Sequence, residues 1–182
     1  MLEKGFILGA SHDGIVYYRK NKNEYGLEIE QKSAEWLEIV QRALEKAYSK
    51  KSRIRKTKKG YYRLNVYSKS LYIELLKFRT TPKLILEQPE DFQKGFLQGI
   101  FDAEGSIRKE RSHITVSSNQ EDIIEVVKNI MERYGFKLGK PWKDKNNVIS
   151  IPLYGKESMK LFSDLINFRH PEKLSRLKLF AE

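Results

Sequence analysis

The stretch Gly95-Phe96-Leu97-Gln98-Gly99-Ile100-Phe101-Asp102-Ala103-Glu104-Gly105-Ser106 decides how this chain is read. Its apolar residues recur at helical spacing, and the helix then stops on an acid followed by glycine. A second copy lies upstream, Gly5-Phe6-Ile7-Leu8-Gly9-Ala10-Ser11-His12-Asp13-Gly14, and its acid precedes Glu104 by 91 residues. One such ending is what an ordinary helix C-cap looks like, with glycine in the left-handed conformation. Two of them in corresponding places point instead to a shared site, in which Asp13 and Glu104 each arrive at a helix end.

Working outward, the rest of the chain repeats as well. Leu37 to Lys46 matches Ile124 to Arg133 in chemical type, position by position, at an offset of 87 residues. Lys77-Phe78-Arg79 matches Asn167-Phe168-Arg169 at an offset of 90, and each is followed within three residues by proline and then Lys-Leu. Offsets this similar describe an internal duplication. Each half reads as helix, hairpin, helix, hairpin, helix. In the first half the strands are Ile15 to Lys20, Tyr25 to Gln31, Ser52 to Lys56 and Tyr61 to Tyr67. The helices are the motif helix, Ala34 to Tyr48 with Ser33 as N-cap, and Leu71 to Phe78. We expect a first unit over residues 1–79, a linker over 80–91 that contains Pro82 and Pro89, and a second unit over 92–182 closed by a helix at Leu174 to Phe180. The fold class is α+β, two pseudo-twofold-related αββαββα units.

Composition narrows the function. The 182 residues include 35 Lys or Arg and 24 Asp or Glu, a net charge of +11. The excess is present in both halves, with 19 basic against 12 acidic residues through Asp91 and 16 against 12 after it. A basic balance spread this evenly favours a polyanion, whose condensed counterions are released on binding. The absence of cysteine removes disulfides, thiol catalysis and Cys-ligated zinc. It also argues against a protein-splicing element. No segment approaches the roughly 20 apolar residues of a membrane span, and the apolar run from Gly5 to Ala10 is short for a secretory signal. We therefore expect an intracellular protein of the cytoplasm or nucleoid.

Each unit can cover only one face of its sheet with its own helices. In Tyr61 to Tyr67 the alternation puts Tyr62, Leu64 and Val66 on one face and Tyr61, Arg63, Asn65 and Tyr67 on the other. Residues 50–63 hold eight Lys or Arg among fourteen, including Arg53, Arg55 and Lys58, interleaved with tyrosines. Such a face suits the major groove of double-stranded DNA. Arg19 joins it in the first unit, and Arg108, Arg111, Thr115, Ser117, Lys143 and Lys145 form its counterpart in the second. Gly9 with Ala10, and Gly99 with Ala103, are small enough to let the two motif helices pack closely and in parallel. Asp13 and Glu104 then meet in the middle, at the negative ends of two helix dipoles, where a divalent cation relieves the repulsion. All-oxygen ligands select Mg²⁺, with Mn²⁺ as its substitute.

Leu97 to Gly105 resembles the nine-residue motif of the LAGLIDADG homing endonucleases of the single-chain, two-motif type, archaeal intron-encoded members in particular. Aligned on Asp13-Gly14, the first copy is degenerate, with Leu8 at the glycine position and Ser11 and His12 where the motif has Asp and a small residue. The resemblance implies a monomer with an internal pseudo-dimer, two packed parallel helices joining a saddle of antiparallel sheets, and cleavage of both strands of a long DNA target with Mg²⁺. It also implies amide and basic side chains that organise solvent at the metals. Gln31 and Lys32 are the candidates, with Ser118 and Asn119 opposite them, and Lys109 or Arg108 from the next strand. Two further functions are compatible with the family: a maturase that binds intron RNA, and a regulator that binds DNA without cutting it, against which the retention of both acids argues. His12, Trp36 and Trp142 read as packing residues, and His113 and His170 belong to no constellation.

Overall fold

The computed structural model describes residues 1–108 and 113–181. Helix α1 (Leu2–Ala10) tightens into a 3-10 turn (Ser11–Asp13) and runs straight into β1 (Gly14–Arg19), which pairs with β2 (Glu24–Gln31). Asn23, at a left-handed φ of 46°, closes that hairpin. Helix α2 (Ala34–Tyr48) starts on Ser33, whose hydroxyl accepts from the Trp36 amide at 3.1 Å. The strands β3 (Arg53–Lys56) and β4 (Tyr62–Tyr67) follow, then α3 (Lys69–Thr80), capped by Ser68. The second half repeats the order with α4 (Glu90–Glu104), β5 (Gly105–Arg108), β6 (His113–Ser118), α5 (Glu121–Arg133), β7 (Trp142–Lys143), β8 (Ile149–Tyr154), α6 (Gly155–Leu165) and the closing α7 (Pro171–Ala181).

Both sheets are four-stranded and antiparallel with the same order, β1-β2-β4-β3 and β5-β6-β8-β7. Leu27, Ile29, Leu64 and Val66 turn one face of the first sheet into the core, and Ile107, Ile114, Val116, Ile151 and Leu153 do so in the second. A single apolar cluster runs through both units. The segment read as a linker is built into it: Pro82 and Ile85 of a 3-10 turn (Pro82–Glu87) are buried, and the Gln93 amide donates to the Leu86 and Gln88 carbonyls at 3.0 and 2.8 Å. Among the described residues no helix is long and apolar enough to cross a membrane.

Four glycines set how the units meet. A Cβ on Gly5 would lie 2.0 Å from the Phe92 carbonyl oxygen, and one on Gly95 would lie 2.0 Å from that of Leu2. One on Gly9 would meet the Phe96 oxygen at 2.3 Å, and one on Gly99 would meet the Phe6 oxygen at 2.2 Å. The contacts advance along both helices together, so α1 and α4 are parallel with backbone against backbone, and their C-terminal ends coincide. Ala10 is buried in this seam, but Ala103 is half-buried beyond it. The partner of Gly99 in spacing is Gly95, four residues earlier, because only glycine admits a backbone at this distance.

Candidate active site between the two motif helices

The crossing also corrects the alignment of the two motifs. Gly5 corresponds to Gly95 and Gly9 to Gly99, an offset of 90, whereas the acids are 91 apart. The missing residue lies in the last turn. Ser11–Asp13 is 3-10 while the equivalent stretch of α4 stays α-helical through Glu104. A 3-10 turn rises about 2.0 Å per residue against about 1.5 Å for an α-helix. Three residues therefore cover the same ~6 Å as four. Leu8 is not at the glycine position, and the packing half of the first motif is intact.

Neither terminal glycine is a left-handed cap. Gly14 (φ −135°) and Gly105 (φ −80°) are extended first residues of strands. Glycine is needed there for space: a Cβ on Gly14 would sit 2.5 Å from the Glu28 oxygen, and one on Gly105 would sit 2.3 Å from the Phe101 oxygen.

Asp13 and Glu104 come close enough that the Asp13 charge helps hold the Glu104 carboxyl above its ordinary range, after burial, which contributes most. Burial raises Asp13 as well, against a hydrogen bond from the Gln31 amide and the nearby Lys173 ammonium. Among the described residues no group of three or more His, Asp or Glu side chains could hold a metal. The centre is a pair of carboxylates, and any further ligands to an ion would come from water and substrate oxygens.

Three residues at this centre escaped the sequence reading. Lys173, from α7, donates to the carbonyls of Phe101 at 3.1 Å and of Asp102. Asp102 is 1% exposed and accepts from Trp36 Nε1 at 3.0 Å and from the Arg169 amide at 3.1 Å. Burial still pushes its carboxyl up to about 6. Arg79 reaches from the end of α3 to the carbonyls of Ser11 and, at 3.2 Å, Gly14. The repeated Phe-Arg pairs, Phe78-Arg79 and Phe168-Arg169, carried a signal for one of these, Arg79; Arg169 contributes only its backbone amide to Asp102.

The other expected helpers are dispersed. Lys32 lies past the end of β2, and its ammonium sits over the Tyr61 ring at 5.7 Å, so it is not brought to Asp13. Ser118 is turned to accept from the Gln120 amide at 3.1 Å, and Asn119 is exposed. Lys109 and Arg111 fall outside the described residues; Arg108 is paired with His113 in the strand register. His12 packs edge-on to Phe96 at 6.3 Å, and burial, with the Arg79 charge, lowers it to about 4. Trp36 is fully buried, but Trp142 is 43% exposed, because β7 is a two-residue edge strand.

The open face of the first sheet is less purely basic than its composition suggested. Arg63 pairs with Glu30 at 2.6 Å and Glu28 at 3.3 Å, and Arg19 pairs with Glu24 at 2.8 Å while stacking on Tyr17 at 4.3 Å. These acids were legible as the alternate positions of β2. Of these acids Glu28, together with Arg19, Arg55, Lys58, Arg63, Asn65 and Tyr67, lines a concavity of about 490 Å³, with Arg53 exposed beside it. Tyr61 is half-buried, under Lys32. On the second sheet Thr115 is only 5% exposed, hemmed between Ser106 and Pro152, so its placement as a reading residue is corrected. Ser117 shares a 2.8 Å hydrogen bond with Ser150, and Lys143 and Lys145 are exposed.

Comparison with known proteins places this arrangement. The model of the LAGLIDADG-like domain matches residues 5–78 and again 91–167. The homing endonuclease I-ApeI of Aeropyrum pernix is 26% identical over 94% of this chain and 84% of its own length. A stretch of the glutamine–fructose-6-phosphate aminotransferase of Methanocaldococcus jannaschii is also 26% identical over 96% of the chain, which spans only 16% of that protein. The crystal structure of I-DmoI in complex with DNA and Ca superposes with a TM-score of 0.75 at 19% identity, covering 98% of this chain and 97% of that one.

Proposed function

Because the chain belongs to the LAGLIDADG-like family, we propose that it is a site-specific double-strand DNA endonuclease that works with divalent metal, as a monomer whose two units take one half-site each. The observation that carries this reading is the convergence of Asp13 and Glu104 at the coincident ends of two parallel helices, between two sheets with open faces.

The donor set fits a hard cation. Two carboxylates that repel each other in a partly buried centre are what Mg²⁺ takes from protein when phosphates and water complete its shell. A bound ion supplies activation of water and stabilisation of the leaving oxygen. The chain's own groups prepare for this: Gln31 fixes the Asp13 carboxylate, Arg79 and Lys173 hold the two helix ends, and exposed Arg53, Arg55 and Lys58 neutralise phosphates. Arg63 and Arg19 reach DNA by exchanging their glutamates for base edges, and those glutamates can accept from cytosine. Support from relatives is of the same kind: I-ApeI is a homing endonuclease, and I-DmoI has been crystallised with DNA and Mn and with DNA and Ca.

The test begins with duplexes selected from a randomised library by binding in Ca²⁺, which are then exposed to Mg²⁺, Mn²⁺ or EDTA. The expected result is a discrete double-strand cut with Mg²⁺ or Mn²⁺ and none with EDTA. Retention of specific DNA that stays uncut in both metals would move the assignment to a non-cleaving DNA-binding protein.

A further inference from the structure

Across the open face of the first sheet, Glu30, Arg63 and Arg55 form one cross-strand row, and Glu28, Asn65 and Arg53 form the row beside it. Arg63 is held by both acids of β2. Its Nε and Nη2 donate to one Glu30 oxygen at 2.9 and 2.6 Å, and Nε lies 3.3 Å from Glu28. One arginine against two glutamates leaves a net charge of −1 within a basic face. Arg55, next in the row, is exposed and has no ion pair among the described residues. Phosphate binding alone does not account for the two acids, because a carboxylate turned toward a duplex is repelled by the backbone and is satisfied only by a donor on a base edge. The acids also differ in depth. Glu28 has 18% of its side chain exposed against 34% for Glu30, and it lines the concavity together with Arg63. Glu30 braces the guanidinium, while Glu28 and Arg63 face the concavity side by side. In the second sheet the corresponding cross-strand pair is Ser117 and Ser150, which bond to each other and carry no charge.

We propose that Glu28 and Arg63 together read one G·C base pair in the half-site of the first unit, Arg63 bonding guanine and Glu28 accepting from cytosine, while both glutamates keep Arg63 off the phosphates of other sequences. That role rests on the endonuclease reading and supplies part of the target. In the major groove guanine shows two acceptors, O6 and N7, beside the N4 donor of cytosine, which is the complement of an arginine beside a carboxylate. An A·T pair puts the adenine N6 donor against Arg63 and the thymine O4 acceptor against Glu28. The glutamates therefore discriminate by penalty as well as by contact.

Duplexes selected by the wild type from a randomised library in Ca²⁺ supply the probe. Affinities for the selected duplex, its single-pair replacements and an unrelated duplex are then measured by fluorescence anisotropy over a salt series. The wild type should fix one G·C position and bind its A·T replacement at least about tenfold more weakly. Glu28→Gln should shrink that penalty, because an amide can donate to thymine O4 as well as accept from cytosine. Arg63→Met should shrink it too, and should be indifferent to 7-deazaguanine at that position, which lacks the N7 acceptor and weakens the wild type. The Glu28→Gln/Glu30→Gln double variant should bind the unrelated duplex more tightly, with a salt slope steeper by about 0.9, as for one more phosphate neutralised. A wild type that selects no sequence overturns the endonuclease reading and the G·C pair with it. An unchanged penalty in Glu28→Gln overturns the G·C role alone, as does an equal loss of affinity for every duplex, which marks an ion pair that only supports the sheet.

Discussion

The two motif helices cross through equivalent glycines, yet their ends are closed by different means. In the first unit a three-residue 3-10 turn brings Asp13 into place, and the Arg79 side chain covers its free carbonyls. In the second, α4 continues to Glu104, Asp102 is fixed by Trp36 and the Arg169 amide, and Lys173 takes the last carbonyls. Arg169, the repeat counterpart of Arg79, instead spends its guanidinium on Glu3 at 2.6 Å and on the Phe6 ring at 4.3 Å. Strict equivalence is confined to the seam, where backbones touch and no side chain can adapt. Beyond it, the two units need only deliver an acid to the same place.

The strongest way to break this contrast is at the seam. Gly99→Val should prevent folding or cost more than about 4 kcal/mol, because its Cβ would lie 2.2 Å from the Phe6 oxygen. Gly60→Ala, in open space at φ +81°, should cost only about 1 kcal/mol of backbone strain. Chemical denaturation of the two variants checks the ratio. Loss of the end anchors should be smaller and unequal in kind. Arg79→Met removes charged donors from buried carbonyls, at about 1.5–3 kcal/mol, and Trp36→Phe strips a neutral donor from buried Asp102, at about 1–3 kcal/mol. Both are read as shifts of the urea midpoint.

The last effect is one of pH. Burial, with the Lys173 charge, lowers His170 to about 4 from an ordinary 6.5, against the pull of Glu172. It stacks on Trp36 at 5.8 Å, and Arg176 adds to the positive field around it. Between these values the unfolded chain binds the proton and the folded chain does not. Its contribution is therefore full above pH 6.5 and is lost as pH falls toward 4. A thermal-melting series across that window should be flatter for His170→Phe than for the wild type.

Much of this was legible in the sequence, for identifiable reasons. The duplication, the paired acids and the strand alternation are periodic features, and the structure reproduces the αββαββα order in both halves. What periodicity could not show was a change of helix type. The one-residue deletion before Asp13 looked like a damaged motif, because a letter-by-letter alignment assumes constant rise, and a 3-10 turn does not have it. Lys173 and Asp102 were hidden for another reason. Lys173 lies 69 residues beyond Glu104, and only tertiary packing brings α7 back over the end of α4. Lys32, which the resemblance offers beside Gln31, follows the end of β2 and has its ammonium over the Tyr61 ring, a placement that only the tertiary structure reveals.

The central claim is that the two helix ends form one acid centre. Strand-resolved cleavage of a selected duplex by Asp13→Asn and Glu104→Gln, alongside measured DNA affinity, tests it most directly. The account predicts that either substitution abolishes the double-strand cut while binding persists. Double-strand cleavage surviving at the wild-type rate in either variant would contradict it.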